Sequence, residues 1–263
     1  FPASCLTDED LQNFVDLPEH YIEFCLIFEQ NNQETMDSVR QIIEQIIKIL
    51  PIEFIQMLME FLATPSTTPI ESEAKIFLTT LIYLHHKPPV DLFPQTIVAL
   101  SQHRTNLQLF EYSSLCTLLS VLVSISGELE ESILRQCIDI ALFSLLNCNS
   151  VVVRLCSIDL LYAILDQPFF IAAPAKIEEI LPLPTIIETI LKLSTELKHE
   201  FIGRILEKLV HLFPEFFVPT NLEFIKYIFT LWASLQDDDD EGKTSSLLLS
   251  ISKIISSIPN NSP

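Results

Sequence analysis

Apolar residues recur every three or four positions along most of the chain, which is the spacing of one face of an α-helix. In the stretch 36–47, for example, Ile42, Ile43, Ile46 and Ile47 follow this pattern. Alternation at every second residue, which is typical of half-buried strands, is not sustained anywhere. Prolines fall mainly between the periodic stretches, where they suit a linker or the first turn of a helix. The sequence therefore predicts an all-α protein.

The periodic stretches between the prolines predict about a dozen helices. They span roughly residues 8–28, 35–49, 51–63, 70–86, 90–103, 107–125, 129–147, 150–165, 175–194, 198–213, 220–236 and 243–258. The starts of alternate helices are about 35 to 48 residues apart, which is the period of a two-helix solenoid repeat. We therefore expect a right-handed α-solenoid, or superhelix, of about six antiparallel helix pairs.

A short motif recurs where two of the predicted repeats begin their second helix. The segment Asp37-Ser38-Val39-Arg40 is matched by Asn149-Ser150-Val151-Val152-Val153-Arg154, so each has a polar capping residue ahead of Val-Arg. This is the pattern of HEAT repeats, in which the valine packs inward and the arginine reaches acceptors along the stack. We predict structural roles for both Val-Arg pairs, namely for Val39 and Arg40 and for Val153 and Arg154.

The distribution of apolar residues favours one continuous array across residues 1–263. Phe, Leu and Ile are abundant, and no polar end caps interrupt them, as expected for interior repeats of a solenoid. The chain also begins at Phe1 rather than Met, which favours an interior segment of a longer solenoid. The repeats are expected at roughly 8–63, 70–125, 129–165, 175–213 and 220–258.

Composition excludes several classes of function. The chain has only 3 glycines, and they lie too far apart for a GxGxxG turn or a GxxxxGK phosphate loop. With 35 acidic and 15 basic residues, the net charge of -20 would repel the phosphates of nucleic acid. Basic protein partners are the electrostatically favoured ones, and direct binding to nucleic acid is not expected.

Neither a membrane helix nor a disulfide framework is expected. The longest uncharged stretch, Tyr112 to Gly127, contains several serines and is shorter than the roughly 20 apolar residues that a membrane span needs. The 6 cysteines include no CxxC pair and lie among apolar helix formers, so we expect buried free thiols in a reducing compartment.

The residue types that catalysis requires do not cluster in the sequence. Among the 6 histidines only His85 and His86 are neighbours, and on a helix their side chains diverge by about 100°. No HExxH or GxSxG motif is present. We therefore expect no enzyme, no metal site and no cofactor.

The strongest local anomaly is the acidic run Asp237-Asp238-Asp239-Asp240-Glu241, which follows an apolar helix containing Trp232. Such a run repels itself and stays in solvent, so it can serve as a solubilising turn or can hold a basic peptide. A tryptophan next to acidic residues can also hold the aliphatic part of a lysine side chain. These six residues are the candidate contacts for a protein partner.

Two stretches resemble one known family. The first is 6–22, where an acidic helix start is followed by Leu17-Pro18-Glu19; the second comprises 150–156, Phe169-Phe170 and 224–232. Both are similar to the importin-beta, or karyopherin, superfamily of nuclear transport receptors, and within it to the central repeats of the importin-eleven branch. Leu17, which precedes the proline, departs from the pattern of that branch.

The resemblance implies a curved superhelix that binds protein cargo on its concave face. It further implies binding of the small GTPase Ran in its GTP form, docking of Phe-Gly nucleoporins between outer helices, and a location in nucleus and cytoplasm and at the nuclear pore of the nuclear envelope. An acidic loop contacts Ran or cargo in several members of the superfamily, and 237–241 is the candidate for such a loop. The alternative is a HEAT-repeat scaffold or regulatory subunit of a multiprotein complex unrelated to transport.

Overall fold

The computed structural model describes residues 109–172, 179–197 and 200–213, together with isolated residues between 12 and 79. Every regular element in this part of the chain is helical, and it contains no strand. The expected all-α class is therefore confirmed for these residues. The chain divides into two compact units, Phe1–Gln167 and Pro168–Pro263, and the expected single array over both stays a prediction.

Three consecutive helices make up the described core of the first unit. They are α1 (Leu109–Ile125), α2 (Glu131–Asn147) and α3 (Val151–Leu165). Each begins within a residue or two of the start that the sequence predicts. Helix α3 packs most extensively against α1 and next against α2, whereas α1 and α2 contact each other little. The first and third helices of this series are thus the closest neighbours.

Helices α1 and α3 are buried around most of their circumference. The uncharged stretch that begins at Tyr112 forms most of α1, and Leu115, Leu118 and Leu122 on it are fully buried. In α3 most of the fifteen residues are buried as well. Each fully buried leucine or isoleucine stabilises the fold by about 1.5–3 kcal/mol, which explains why these helices need no apolar stripe confined to one face.

Helix α2 is amphipathic, in contrast to its neighbours. Its buried face includes Ile133, Leu134 and Ile138, while Arg135 is exposed and pairs with Glu131 one turn earlier, at 2.6 Å. Exposed pairs at this spacing contribute about 0.2–0.5 kcal/mol, so packing of the apolar face is the main source of stability for this helix.

The described helices of the second unit are α4 (Pro168–Ala172), α5 (Leu183–Glu196) and α6 (Glu200–Leu212). Helices α5 and α6 pack against each other. Both have one apolar stripe, which is what a helix with one solvated side requires. The buried apolar residues on the pair, or directly after one of its helices, are Leu183, Ile186, Ile190, Leu193, Leu197, Ile202, Ile205, Leu206, Leu209, Val210 and Phe213.

The sequence-based helix at 175–194 is wrong at its start. Residues 179 and 180 are helical, but Leu181 and Pro182 are not, and α5 begins only at Leu183. The reason is Pro182, which has no N–H to donate and forces the preceding residue out of the helical region. The N–H of Leu183 instead donates to the carbonyl of Leu181 at 2.8 Å. The short helix α4 lies between the predicted helices 150–165 and 175–194, so the sequence did not predict it.

Candidate functional site

Helices α1 and α3 run parallel and keep a constant register. The side chain of Thr117 lies close enough to the thiol of Cys156 to oppose the rise of its pKa that burial causes. One turn further along both helices, Ser120 Oγ donates to Asp159 Oδ2 at 2.5 Å, across a sequence separation of 39 residues. The two residues of each pair are 39 positions apart in the sequence. A residue further along α1 therefore meets a residue further along α3, as it does when two helices are parallel. The two helices therefore lie side by side and run in the same direction.

A third polar contact joins the C-terminal ends of the same two helices. Gln167 follows α3, is only 4% exposed, and donates from Nε2 to the carbonyl of Val123 at 2.8 Å. That carbonyl lies in the last turn of α1, where backbone acceptors have no partner within their own helix. Gln167 Oε1 is buried without a hydrogen bond. The bond to Val123 fixes where α3 ends relative to α1.

Partly exposed polar residues follow the contact line between α1 and α3. On α3 they are Asp159 and Tyr162, with exposed Asp166 just after the helix; on α1 they are Thr117 and exposed Ser124. The bond from Ser120 to Asp159 joins the two rows. We name these five residues the α1–α3 face. Its two carboxylates and three hydroxyls supply hydrogen-bond acceptors and negative charge, which suits lysine or arginine side chains.

The α1–α3 face was not predicted, although the spacing of its residues on α3 is a signal for it. Asp159, Tyr162 and Asp166 recur at three- and four-residue spacing within and just beyond an otherwise apolar helix. Such spacing places them on one side of the helix. The sequence does not indicate that Ser120 is the partner of Asp159 across the interface, because that contact spans 39 residues.

The predicted HEAT positions Val153 and Arg154 lie at the start of α3. Val153 is fully buried, and its backbone N–H donates to the Ser150 side chain at 3.4 Å, so the predicted cap is present. Arg154 Nε donates to the carbonyl of Cys148 at 2.7 Å. This bond stabilises the turn between α2 and α3, because the Cys148 carbonyl lies at the end of α2.

Four cysteines of the first unit are free and buried. Burial raises the pKa of Cys116 and of Cys137 to about 12, because the apolar interior disfavours the thiolate. Burial also raises the pKa of Cys156 and of Cys148, and at Cys148 the guanidinium of Arg154 opposes the rise. Protonated buried thiols are poor nucleophiles and poor metal ligands, so these cysteines act as core residues.

A small apolar surface lies apart from this polar face. Phe143 on α2 is 43% exposed and its ring centroid is 5.6 Å from that of Tyr112 on α1. Leu109, at the start of α1, is also exposed. Exposed apolar residues occur on most proteins, so these two carry no function by themselves.

Several residues singled out from the sequence lie outside the described part of the chain. They are Val39, Arg40, Trp232, Asp237, Asp238, Asp239, Asp240, Glu241, Cys5 and Cys25. Within the described part, no group of three or more metal-ligating side chains occurs. Nor do the described helices include one that is long and apolar enough to cross a membrane. No protein-family model, curated protein or solved structure matches the chain.

Proposed function

We propose that the chain is part of a HEAT-type α-solenoid that binds protein partners. The observation that carries this proposal is the parallel packing of α1 on α3, in which two contacts one turn apart both span 39 residues. In a solenoid, each helix of one pair packs against the equivalent helix of the next pair. A separation of 39 residues is close to the roughly 40-residue length of a HEAT repeat.

In this arrangement α2 is the first helix of a repeat and α3 is the second, and α1 is the second helix of the preceding repeat. The limited contact between α1 and α2 supports the assignment, because these helices belong to different repeats and hold different positions in them. Extended over 1–263, the same stacking gives a right-handed superhelix of about six helix pairs. The opening motif at Ser150 and Arg154 then recurs at Ser38 and Arg40 because each starts a second helix.

Within this class, we propose a nuclear transport receptor that acts in nucleus and cytoplasm and at the pore. The support is the resemblance of 6–22, 150–156 and 224–232 to the importin-eleven branch, together with the net charge of -20. Transport receptors of that superfamily bind Ran in the GTP form, protein cargo and Phe-Gly nucleoporins. The proposed partners of this chain are therefore Ran-GTP, a basic cargo protein and Phe-Gly repeats.

The α1–α3 face is the proposed contact surface for basic cargo among the described residues. Second helices line the inner surface of a HEAT solenoid in this proposal, so the polar rows of α1 and α3 face the same partner. Asp159 and Asp166 would accept hydrogen bonds from lysine or arginine, and Tyr162 would cover their aliphatic parts. The acidic run 237–241 and Trp232 are proposed as further contacts for cargo or Ran, on the strength of their charge and sequence alone.

The test is the affinity of the natural full-length polypeptide for Ran loaded with GTP and for Ran loaded with GDP, at physiological salt. A transport receptor should bind the GTP form more tightly, by about 5- to 150-fold, which is the range of typical coupling free energies of about 1–3 kcal/mol. Equal or absent binding of both forms would refute the transport proposal and favour the scaffold alternative. Binding of Phe-Gly repeats, measured in parallel, distinguishes a transport receptor from a scaffold, because only the transport receptor is expected to bind them.

A further inference from the structure

We draw no further inference here: the strongest candidate, the buried Gln167 amide between the C-terminal ends of α1 and α3, leaves its Oε1 without a hydrogen bond, but a single acceptor atom does not specify a ligand and the described residues supply no second group that does.

Discussion

Three polar side chains of the first unit bind oxygens that lie beyond their own helix. Ser120 donates to Asp159, Gln167 to the carbonyl of Val123, and Arg154 to the carbonyl of Cys148. Apolar side chains alone hold two helices together without fixing their relative position along the axis, because the hydrophobic effect has no direction. The directional hydrogen bonds of Ser120, in the middle of the α1–α3 contact, and of Gln167, at its C-terminal end, do fix it, so these two residues set the register between α1 and α3.

Replacing Ser120 with alanine should lower the free energy of unfolding by about 0.5–1.5 kcal/mol, because one hydrogen bond is lost and the partly exposed carboxylate of Asp159 can bind water instead. Ser124→Ala is the matched control, since it makes the same change on the exposed side of α1. Urea denaturation of both variants measures the difference, and Ser124→Ala should stay within about 0.5 kcal/mol of the parent. Equal stability of the two variants would mean that the bond to Asp159 contributes nothing to the register.

The buried thiols should resist alkylation in the folded protein. At pH 9 a thiol of ordinary pKa is half ionised, whereas Cys116 and Cys137, with pKa values of about 12, have on the order of a thousandfold less thiolate. Because the folded state holds these protons and the unfolded state releases them, raising the pH from 9 towards 12 also lowers stability. Iodoacetamide labelling at pH 9, followed by peptide mass spectrometry, should therefore modify both cysteines only after denaturant is added.

The control for the labelling is Ser124→Cys, which places a thiol on the exposed side of α1, the helix that contains Cys116. The introduced thiol should react in the native protein within the time that glutathione reacts under the same conditions. If Cys116 in the native protein were labelled as fast as the introduced thiol, the described packing of α1 would be wrong.

At the scale of the helix, residues at the helix ends determine where each helix begins and stops. Ser150 caps α3, and the backbone N–H of Asp166 closes its last turn by donating to the carbonyls of Tyr162 and Ile164. Pro182 separates α5 from the helical residues before it. Each of these residues affects the backbone N–H or C=O groups at the end of a helix. A single residue can therefore determine where a helix begins or ends, which the apolar periodicity does not determine.

Replacing Ser150 with alanine should destabilise the fold by about 1 kcal/mol, because the N–H of Val153 loses its acceptor. Ser150→Asp keeps an acceptor at the cap and adds a charge that the helix dipole favours, so it should retain parental stability. The midpoint of urea denaturation distinguishes the two variants. A loss of the same size in Ser150→Asp would show that packing around the serine, and not the cap, is responsible.

The sequence predicted helix type and position well wherever apolar periodicity and a capping residue agree, as they do at α3. It failed at α5, where the apolar residues of 175–181 continue the period across Pro182 and only the local effect of that proline breaks it. For the α1–α3 face, the sequence indicates only the row of polar residues on α3. The defining contact of the face pairs Ser120 with Asp159, and no local pattern indicates which residues meet across such a distance.

At the scale of the whole molecule, the net charge and the proposed repeats have separate consequences. In the proposed solenoid, a binding surface is spread over several equivalent helices, so each contact contributes little and the sum determines affinity. A net charge of -20 adds a long-range attraction for basic partners that is screened over about 8 Å at physiological ionic strength. A partner held by the α1–α3 face should therefore respond to both the position and the sign of individual charges.

Asp166→Asn should weaken binding of a lysine- and arginine-rich peptide by about two- to fivefold, as expected for one exposed charge at an interface. Asp139→Asn is the control, because it makes the same change at an exposed position on α2, away from the α1–α3 face. Fluorescence anisotropy with a labelled basic peptide, in low and in physiological salt, measures both variants and the parent. Both variants lose the same amount of long-range attraction for the peptide, since each removes one negative charge. If Asp139→Asn weakens binding as much as Asp166→Asn, the peptide responds to net charge alone and the α1–α3 face is not its binding surface.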